Sequence, residues 1–165
     1  MPQNNAANNI AYQSGHDHNH CISSAMLEAQ SVCKGNGQRL TKIRELVLQL
    51  IWQSHKPLGA YDLLPAIAEA GFNSAPPTVY RALDFLQEQG LVHRLASLNA
   101  FIGCSHPGEH HNGYFLICKD CGITVELASE EIQQSISRCA TRQGFAVEQE
   151  NVEILGCCTN CVAPA

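Results

Sequence analysis

Two cysteine pairs with the same spacing constrain this 165-residue chain more than any other feature. Cys118 and Cys121 are separated by two residues, and the spacing recurs at Cys158 and Cys161 after a gap of 36 residues. Two-residue gaps let both sulfurs of a pair face one tetrahedral zinc ion, so the pattern predicts a closed structural site with four cysteine ligands. Cys157 is an alternative to Cys158, although the two-residue gap favours Cys158.

A disulfide framework and a redox pair are the alternatives for these cysteines. The N-terminus has no basic start followed by an apolar stretch, and no run of about 18 apolar residues occurs, so the sequence predicts a cytoplasmic protein without a membrane span. In a reducing cytosol, spaced cysteine pairs more often hold metal or carry out redox chemistry. Neither pair opens a helix after a strand, where a thiolate is activated, so the metal interpretation is favoured.

The start of the chain is expected to be a tail followed by three helices. Residues 1–22 are rich in Asn, Gln, Ser and His without hydrophobic periodicity, which is typical of a flexible tail. A short helix is expected over residues 23–34. Apolar residues then recur on one helical face after Thr41, which would cap the second helix. Pro65 is expected to kink the third helix or displace its start.

Residues 76–103 indicate that the first half of the chain could bind DNA. Tandem prolines at 76 and 77 open a helix that runs to Gln89 and ends at Gly90. Residues 91–103 alternate as two short strands around a turn. Helices followed by a two-stranded ribbon predict a winged helix, with 76–89 in the DNA major groove and 91–103 as the wing. Similar orders of helix and hairpin also occur in domains that bind no DNA.

Charge is distributed unevenly along the chain. Residues 39–94 carry six Lys and Arg against five Asp and Glu, whereas residues 95–165 carry three against eight. Any contact with DNA phosphates is therefore expected in the first half, because the acidic second half repels them.

A connection rich in Gly, His and Pro, at 104–113, separates the predicted winged helix (23–103) from a smaller unit at 114–165. Strands on either side of the first cysteine pair, a helix capped by Ser129 and a final strand starting near Phe145 are expected there. A unit of about 50 residues is small for a stable core, so we expect it to need a metal, a partner or both. The whole chain is predicted to be of the α+β class.

A second group of potential metal ligands surrounds the connection. His93 lies in the predicted wing, Cys104 and His111 in the hinge, and Glu126 in the second unit. Sulfur, imidazole and carboxylate ligands together suit zinc better than a hard cation. A metal held by all four would tie the two units together.

Several strings occur together in an order that resembles a known family. "PPTVYRALDFLQEQGLVH" and "HHNGYFLICKDCG", followed by a terminal CxxC, resemble the ferric uptake regulator (Fur) family of bacterial metal-responsive repressors and, within it, the zinc uptake regulator branch. The resemblance covers roughly residues 23–161. It implies an N-terminal winged helix-turn-helix DNA-binding domain, a C-terminal α/β dimerisation domain with a structural zinc, and a homodimer. Loaded with zinc, such a homodimer binds palindromic operators and represses zinc-uptake genes.

The histidines distinguish the branches of this family. Iron- and peroxide-sensing members use a His-His-Asp-His run and a later histidine, whereas here His110 and His111 precede Asn112, and no histidine follows. An iron- or peroxide-responsive regulator is the alternative function. His110 is the alternative to His111 as a ligand. The resemblance implies two zinc ions per subunit, one structural, at the four paired cysteines, and one regulatory, at His93, Cys104, His111 and Glu126.

The resemblance also implies DNA contacts from Tyr61, Tyr80 and Arg81. Arg81 can pair with phosphate or guanine, and Tyr80 can pack on a thymine methyl group. A core or helix-surface position is the alternative for Tyr80. Thr78 is expected to cap the helix, contact phosphate, or do both.

Enzymatic activity is not expected. A zinc hydrolase or deaminase would need an HExxH or HxE…PCxxC string, and neither is present in the sequence. The resemblance implies operator DNA and a second copy of the chain as partners, and no small-molecule substrate or membrane is expected.

Overall fold

The computed structural model describes residues 18–108 and 112–162, and it confirms the predicted α+β class with a winged helix followed by a smaller α/β unit. The predictions for residues 1–17, 109–111 and 163–165 lie outside the described residues. The helices are α1 (His18–Gly35), α2 (Lys42–Trp52), α3 (Leu64–Glu69), α4 (Pro76–Glu88) and α5 (Glu130–Arg142). The strands are β1 (Val92–Leu95), β2 (Ala100–Gly103), β3 (Gly113–Cys118), β4 (Thr124–Leu127) and β5 (Asn151–Gly156).

Helix α1 begins earlier than predicted. It starts at His18, so residues 18–22 are helical and do not belong to a flexible tail. Ala25, Ala29 and Cys33 recur every four residues and are buried on one face of the helix. Because packing of that face stabilises the helix, it extends towards the N-terminus through polar residues that show no periodicity of their own.

The other predicted helices form, and prolines set the start of two of them. Thr41 occupies the N-cap position of α2, although its side chain makes no capping hydrogen bond. A 3-10 turn at Ala60–Leu63 precedes α3, and Pro65 lies in the first turn of that helix, so the start is displaced as expected. Helix α4 begins at Pro76 and buries its apolar face on the main core.

The wing is an antiparallel hairpin that directly follows α4. Strands β1 and β2 pair from Val92 opposite Gly103 to Leu95 opposite Ala100. Asn99 in the connecting turn has a φ of 47°, a left-handed conformation that Asn tolerates better than most residues.

A three-stranded sheet in the order β4-β3-β5 forms the second unit. Strand β3 is antiparallel to β4 and parallel to β5, and α5 lies in the crossover between β4 and β5. The last strand is shorter than predicted, because it begins at Asn151 rather than near Phe145. Asn151 pairs with Gly113, the first residue of β3, so β3 offers no partner to the residues before Asn151.

The second unit has little core of its own. A small buried cluster joins Leu95 and Ile102 of the wing to Phe115 and Ile117 of β3. No residue of α5 is buried in the single subunit. The second unit is therefore stabilised partly by the wing. Among the described residues, no helix has the length and apolar composition needed to cross a membrane.

Candidate metal centres

The two cysteine pairs meet at one point of the structure. The sulfur atoms of Cys118, Cys121, Cys158 and Cys161 all lie within 4.8 Å of one another. The Sγ atoms of Cys121 and Cys158 are 3.7 Å apart. We call these residues the four-cysteine cluster.

Sheet topology brings the pairs together across the gap of 36 residues. Strand β3 ends at Cys118, which is in register with Gly156 at the end of the parallel neighbour β5. The C-terminal ends of parallel strands lie at the same end of a sheet. The cysteine pairs at the ends of β3 and β5 therefore lie close together. The four-cysteine cluster thus joins the two ends of the α5 crossover.

The electrostatics of the four-cysteine cluster suit a divalent cation. Backbone N–H groups of Cys121 and Cys158 donate to the sulfur of Cys118 and lower its pKa to about 6. The sulfurs of Cys158 and Cys121 beside Cys161 raise the pKa of that thiol. One thiolate forms readily, whereas four at this separation repel one another. Four sulfur donors that need a shared positive charge match the chemistry of a structural zinc site.

Cys157 points away from this cluster. Its exposed thiol donates to Asp120 Oδ2 at 3.2 Å, and the carboxylate raises the pKa of the thiol. Of the two adjacent cysteines, the structure therefore brings Cys158, and not Cys157, to the other three sulfurs.

A second cluster joins the wing to the three-stranded sheet. Ligand atoms of His93 (β1), Cys104 (after β2) and Glu126 (β4) lie within 4.8 Å of one another. We call these three residues the bridging cluster. His111, the fourth predicted ligand, and its alternative His110 lie outside the described residues.

Glu126 organises the bridging cluster through both carboxylate oxygens. Oε1 is 2.8 Å from His93 Nε2, and Oε2 accepts a hydrogen bond from the backbone N–H of Ser105 at 2.8 Å. Glu126 is only 5% exposed and Cys104 only 2% exposed. A carboxylate and a thiol buried together are costly when charged unless a cation accompanies them. The donor set of nitrogen, sulfur and oxygen is one that zinc accepts.

Phe115 supports the bridging cluster from the side of the sheet. Its ring packs edge-on against the His93 imidazole, with centroids 5.2 Å apart, and the side chain is 1% exposed. This contact limits the rotation of His93. Neither Phe115 nor the backbone of Ser105 can be assigned this role from the sequence, because neither type of group belongs to a metal motif.

The predicted DNA-contacting residues differ in exposure. Tyr61 lies in the 3-10 turn with 65% of its surface exposed, and Arg81 is exposed on α4. Tyr80 is half-buried against the main core, so part of its ring serves packing. Thr78 does not cap α4: the N-cap position belongs to Ala75, whose carbonyl accepts the Thr78 N–H at 2.9 Å. Helix α4 begins two residues earlier because the prolines already have helical φ angles.

Comparison with known proteins places this architecture in one family. A sequence model of the Ferric uptake regulator family matches residues 35–155. The chain is 37% identical over 138 residues to the zinc uptake regulation protein of Escherichia coli (strain K12), and the match covers 83% of this chain and 81% of that protein. A zinc uptake regulator complexed with zinc and DNA superposes with a TM-score of 0.79 at 34% identity, over 90% of this chain and 97% of that one.

A third relative has been solved in two forms. The holo form of XcZur matches with a TM-score of 0.76 over 88% of this chain and 99% of that one, and the apo form with 0.50 over 86% and 98%. Identity is 41% in both comparisons, so the difference in TM-score lies in the arrangement of the relative rather than in its sequence. The family model, the curated relative and the shared fold together show that the chain belongs to the ferric uptake regulator family.

Proposed function

We propose that this protein is a zinc-responsive transcriptional repressor, which binds palindromic operator DNA as a zinc-loaded homodimer and represses zinc-uptake genes. A relative named as a zinc uptake regulation protein and a neighbour solved with zinc and DNA support this function. The single observation that carries it is the bridging cluster, because its ligand atoms come from both the wing and the three-stranded sheet.

The first of two proposed zinc ions per subunit is structural. It is held by the four sulfurs of the four-cysteine cluster, which leave no open coordination position. A metal at this place compensates for the small core of the second unit.

The second zinc ion is regulatory, with His93, Cys104, Glu126 and His111 as its proposed ligands. His111 directly precedes Asn112, whose Nδ2 donates to Glu150 Oε2 at 2.9 Å. Tyr114, which is buried in β3, donates its hydroxyl to the same carboxylate. These contacts anchor Asn112, at the end of the hinge, to the second unit.

Holding the bridging cluster together orients the DNA-reading helix. When bound, zinc supplies positive charge and directed bonds to ligands from both units. His93 lies in β1, five residues after the end of α4. Fixing His93 against Glu126 therefore fixes the direction of α4 relative to the sheet. In a homodimer, two α4 helices with fixed directions can match half-sites about one helical turn apart.

The comparison of the two XcZur forms supports this coupling. The chain has the arrangement of the holo form, at a TM-score of 0.76, rather than that of the apo form, at 0.50. It also superposes on the regulator solved with zinc and DNA at 0.79. The chain in which the bridging cluster is assembled thus shares its overall arrangement with a relative solved on DNA.

Apolar groups left exposed in the second unit support the homodimer. Leu155 of β5 is 60% exposed and Phe145, after α5, is 69% exposed. Strand β5 is also an edge strand, with one side unpaired among the described strands. A second copy of the chain would cover these groups. The proposed units are a DNA-binding domain at 23–103, which α1 extends to His18, a hinge at 104–113 and a dimerisation domain at 114–165.

The protein is proposed to have no enzymatic activity, since ligand sets of four leave no position for a substrate. The protein is proposed to act where the operator DNA is, in the bacterial cytoplasm.

Metal specificity tests the proposed function directly. We expect binding to a labelled zinc-uptake promoter fragment to tighten at least a hundredfold as buffered free zinc is raised, because the metal must shift the population of α4 orientations. Fluorescence anisotropy at fixed ionic strength measures the affinity. Equal activation by ferrous ion, or loss of binding on treatment with peroxide, would favour the alternative iron- or peroxide-responsive regulator.

Arg81 offers a test of the DNA-reading surface. Replacing Arg81 by Ala is expected to weaken binding of the zinc-loaded protein to operator DNA about tenfold or more, since a bidentate guanine contact from Arg is worth about 1–3 kcal/mol. Arg142→Ala removes the same charge from an exposed position at the end of α5 and serves as the control. Equal losses for both variants would indicate a general effect of charge and would remove α4 as the reading helix.

A further inference from the structure

Besides the bridging cluster and the packing of Leu95 and Ile102 on β3, the wing makes a polar contact with the three-stranded sheet. Glu153 of β5 accepts a hydrogen bond from the backbone N–H of Ala96 at 2.7 Å and another from that of Ser97 at 3.1 Å. The Ser97 hydroxyl donates to the same carboxylate. Ala96 and Ser97 form the start of the turn between β1 and β2, so Glu153 holds the tip of the wing.

Each oxygen of Glu153 has a separate role in this contact. Oε1 accepts from Ala96, and Oε2 accepts from both donors of Ser97. Partial burial raises the pKa of Glu153, but the hydrogen bonds from Ser97 and Ala96 outweigh it, so the net pKa is lowered. A carboxylate is the side-chain group that offers two acceptor oxygens and no donor, which suits two adjacent backbone N–H groups.

We infer that Glu153 is a positioning residue for DNA binding, which fixes the tip of the wing to the dimerisation domain without a metal. The inference rests on the proposed function, because its consequence is expressed in operator binding. It adds to that function a residue that belongs to neither cysteine-containing cluster.

The contact at the tip of the wing restricts the direction of the wing more than contacts near His93 alone. His93 lies in β1 and Ala96 begins the turn three residues later, so the two points of contact are up to about 10 Å apart. A wing held at His93 and by the apolar packing of Leu95 and Ile102 can still shift at its tip, because apolar contacts are not directional. When Glu153 also holds the tip, the direction of β1 is fixed. Helix α4 joins β1 through a connection of three residues, so its direction is restricted too.

The Glu153 contact also reduces the metal-binding free energy that is needed to orient the wing. A wing that is already held at its tip presents His93 close to Glu126 before metal binds. The population competent for metal binding is then larger, and the apparent metal affinity rises in proportion. Loss of Glu153 should therefore weaken zinc-dependent operator binding even though all proposed zinc ligands are intact.

The test compares Glu153→Gln and Glu153→Ala with the wild type and with Glu148→Gln. Glu148 is exposed shortly before β5, so its variant matches the charge change without touching the wing. A Gln side chain keeps the size of Glu but presents an NH2 group to one of the two backbone donors. Size-exclusion chromatography and zinc content establish that each variant is folded and dimeric.

Two readouts separate this inference from the proposed function. Site-resolved hydrogen exchange reports the Ala96 and Ser97 amides directly and needs no DNA. Anisotropy with the promoter fragment reports affinity over a range of buffered zinc.

Both readouts should change in the Glu153 variants. We expect exchange of the two amides about tenfold faster, together with operator affinity roughly three- to tenfold weaker and a zinc midpoint at higher concentration, while Glu148→Gln matches wild type. The conservative Glu153→Gln variant should be less affected than Glu153→Ala.

Results that contradict the role of Glu153 can be distinguished from results that contradict the proposed function. Unchanged amide exchange would show that Glu153 does not hold the wing tip. Faster exchange with unchanged operator binding would show a contact without a role in positioning, while leaving the proposed function in place. Wild-type protein that fails to bind the promoter with zinc would overturn the proposed function and, with it, the role of Glu153 in DNA binding, and the exchange data would still decide whether the contact forms.

Discussion

Replacing Cys158 by Ser is expected to remove one zinc ion per subunit and to abolish the dimer, whereas Cys157→Ser should leave both unchanged. The Cys158 sulfur lies 3.7 Å from that of Cys121 within the four-cysteine cluster. The Cys157 thiol instead contacts Asp120 and is exposed. The two variants make the same chemical change one residue apart, so they form a matched pair.

The size of the effect follows from the weak core of the second unit. Structural zinc contributes about 10–16 kcal/mol of apparent binding free energy in small domains, which exceeds the whole free energy of unfolding of many proteins. In the described structure the second unit shares its buried cluster with the wing and buries no residue of α5. Without a complete set of four sulfur ligands, this unit should lose its fold and the dimer surface with it.

Zinc content by mass spectrometry and mass by light scattering measure the two outcomes. Near-ultraviolet circular dichroism should show loss of tertiary structure in Cys158→Ser alone. If Cys158→Ser remained a dimer with its full zinc content, the assignment of the structural site would be wrong. If Cys157→Ser lost zinc to the same extent, the choice between the adjacent cysteines would have to be reversed.

Most elements of the fold can be predicted from local patterns in the sequence. Prolines at 76 and 77, and Gly90 with its φ of 68°, bound α4 because their backbone preferences act within a few residues. Ser129 caps α5 as predicted, with its side chain accepting from the Ile132 N–H. Such signals depend on neighbours in sequence, so they can be read without the tertiary structure.

Features set by tertiary contacts could not be read in this way. Helix α1 extends to His18 because its later turns pack on the core. Strand β5 starts at Asn151 because β3 offers no earlier partner. The contact of Glu153 with the wing tip joins residues more than fifty positions apart, and a glutamate on an alternating strand gives no sign of such a partner.

The two candidate metal sites differ in the same way: local spacing predicts one of them but not the other. Cysteine pairs with a fixed two-residue gap predict a cluster from spacing alone, and the four sulfurs do lie together. His93, Cys104 and Glu126 are scattered over 34 positions and have no spacing rule. Ligand chemistry and family resemblance predict them as a set, and the structure brings these three together. The assignment of both sets as zinc ligands stays a prediction until metal binding is measured.

Cys104→Ser is expected to shift zinc-dependent operator binding to roughly a hundredfold higher free zinc or more, while the dimer and the structural zinc remain. A serine hydroxyl is neutral at physiological pH and binds zinc poorly, whereas a thiolate is a strong ligand. Cys104 is 2% exposed and lies at the end of β2, so Ser fits its volume and keeps the backbone hydrogen bond from its N–H to Leu91 O at 3.0 Å.

The physical reason for the large effect is the two-state character of the switch. Moving the protein from about 1% to about 99% competent requires roughly 5.5 kcal/mol of preferential zinc binding to the competent state. Losing one of four ligands removes a large part of that preference. Cys157→Ser is again the matched control, since it removes a thiol that lies outside the bridging cluster.

Operator binding across a series of zinc buffers measures the shift, with zinc content and light scattering on the same samples. A normal zinc response in Cys104→Ser would exclude Cys104 from the regulatory site. A variant that lost the dimer as well would show that Cys104 is needed for folding, and Glu126→Gln would then decide the question. Gln keeps the hydrogen bond from Ser105 but lacks the negative charge that a cation requires. If the bridging cluster is the sensor, Glu126→Gln should need more zinc even in a folded dimer.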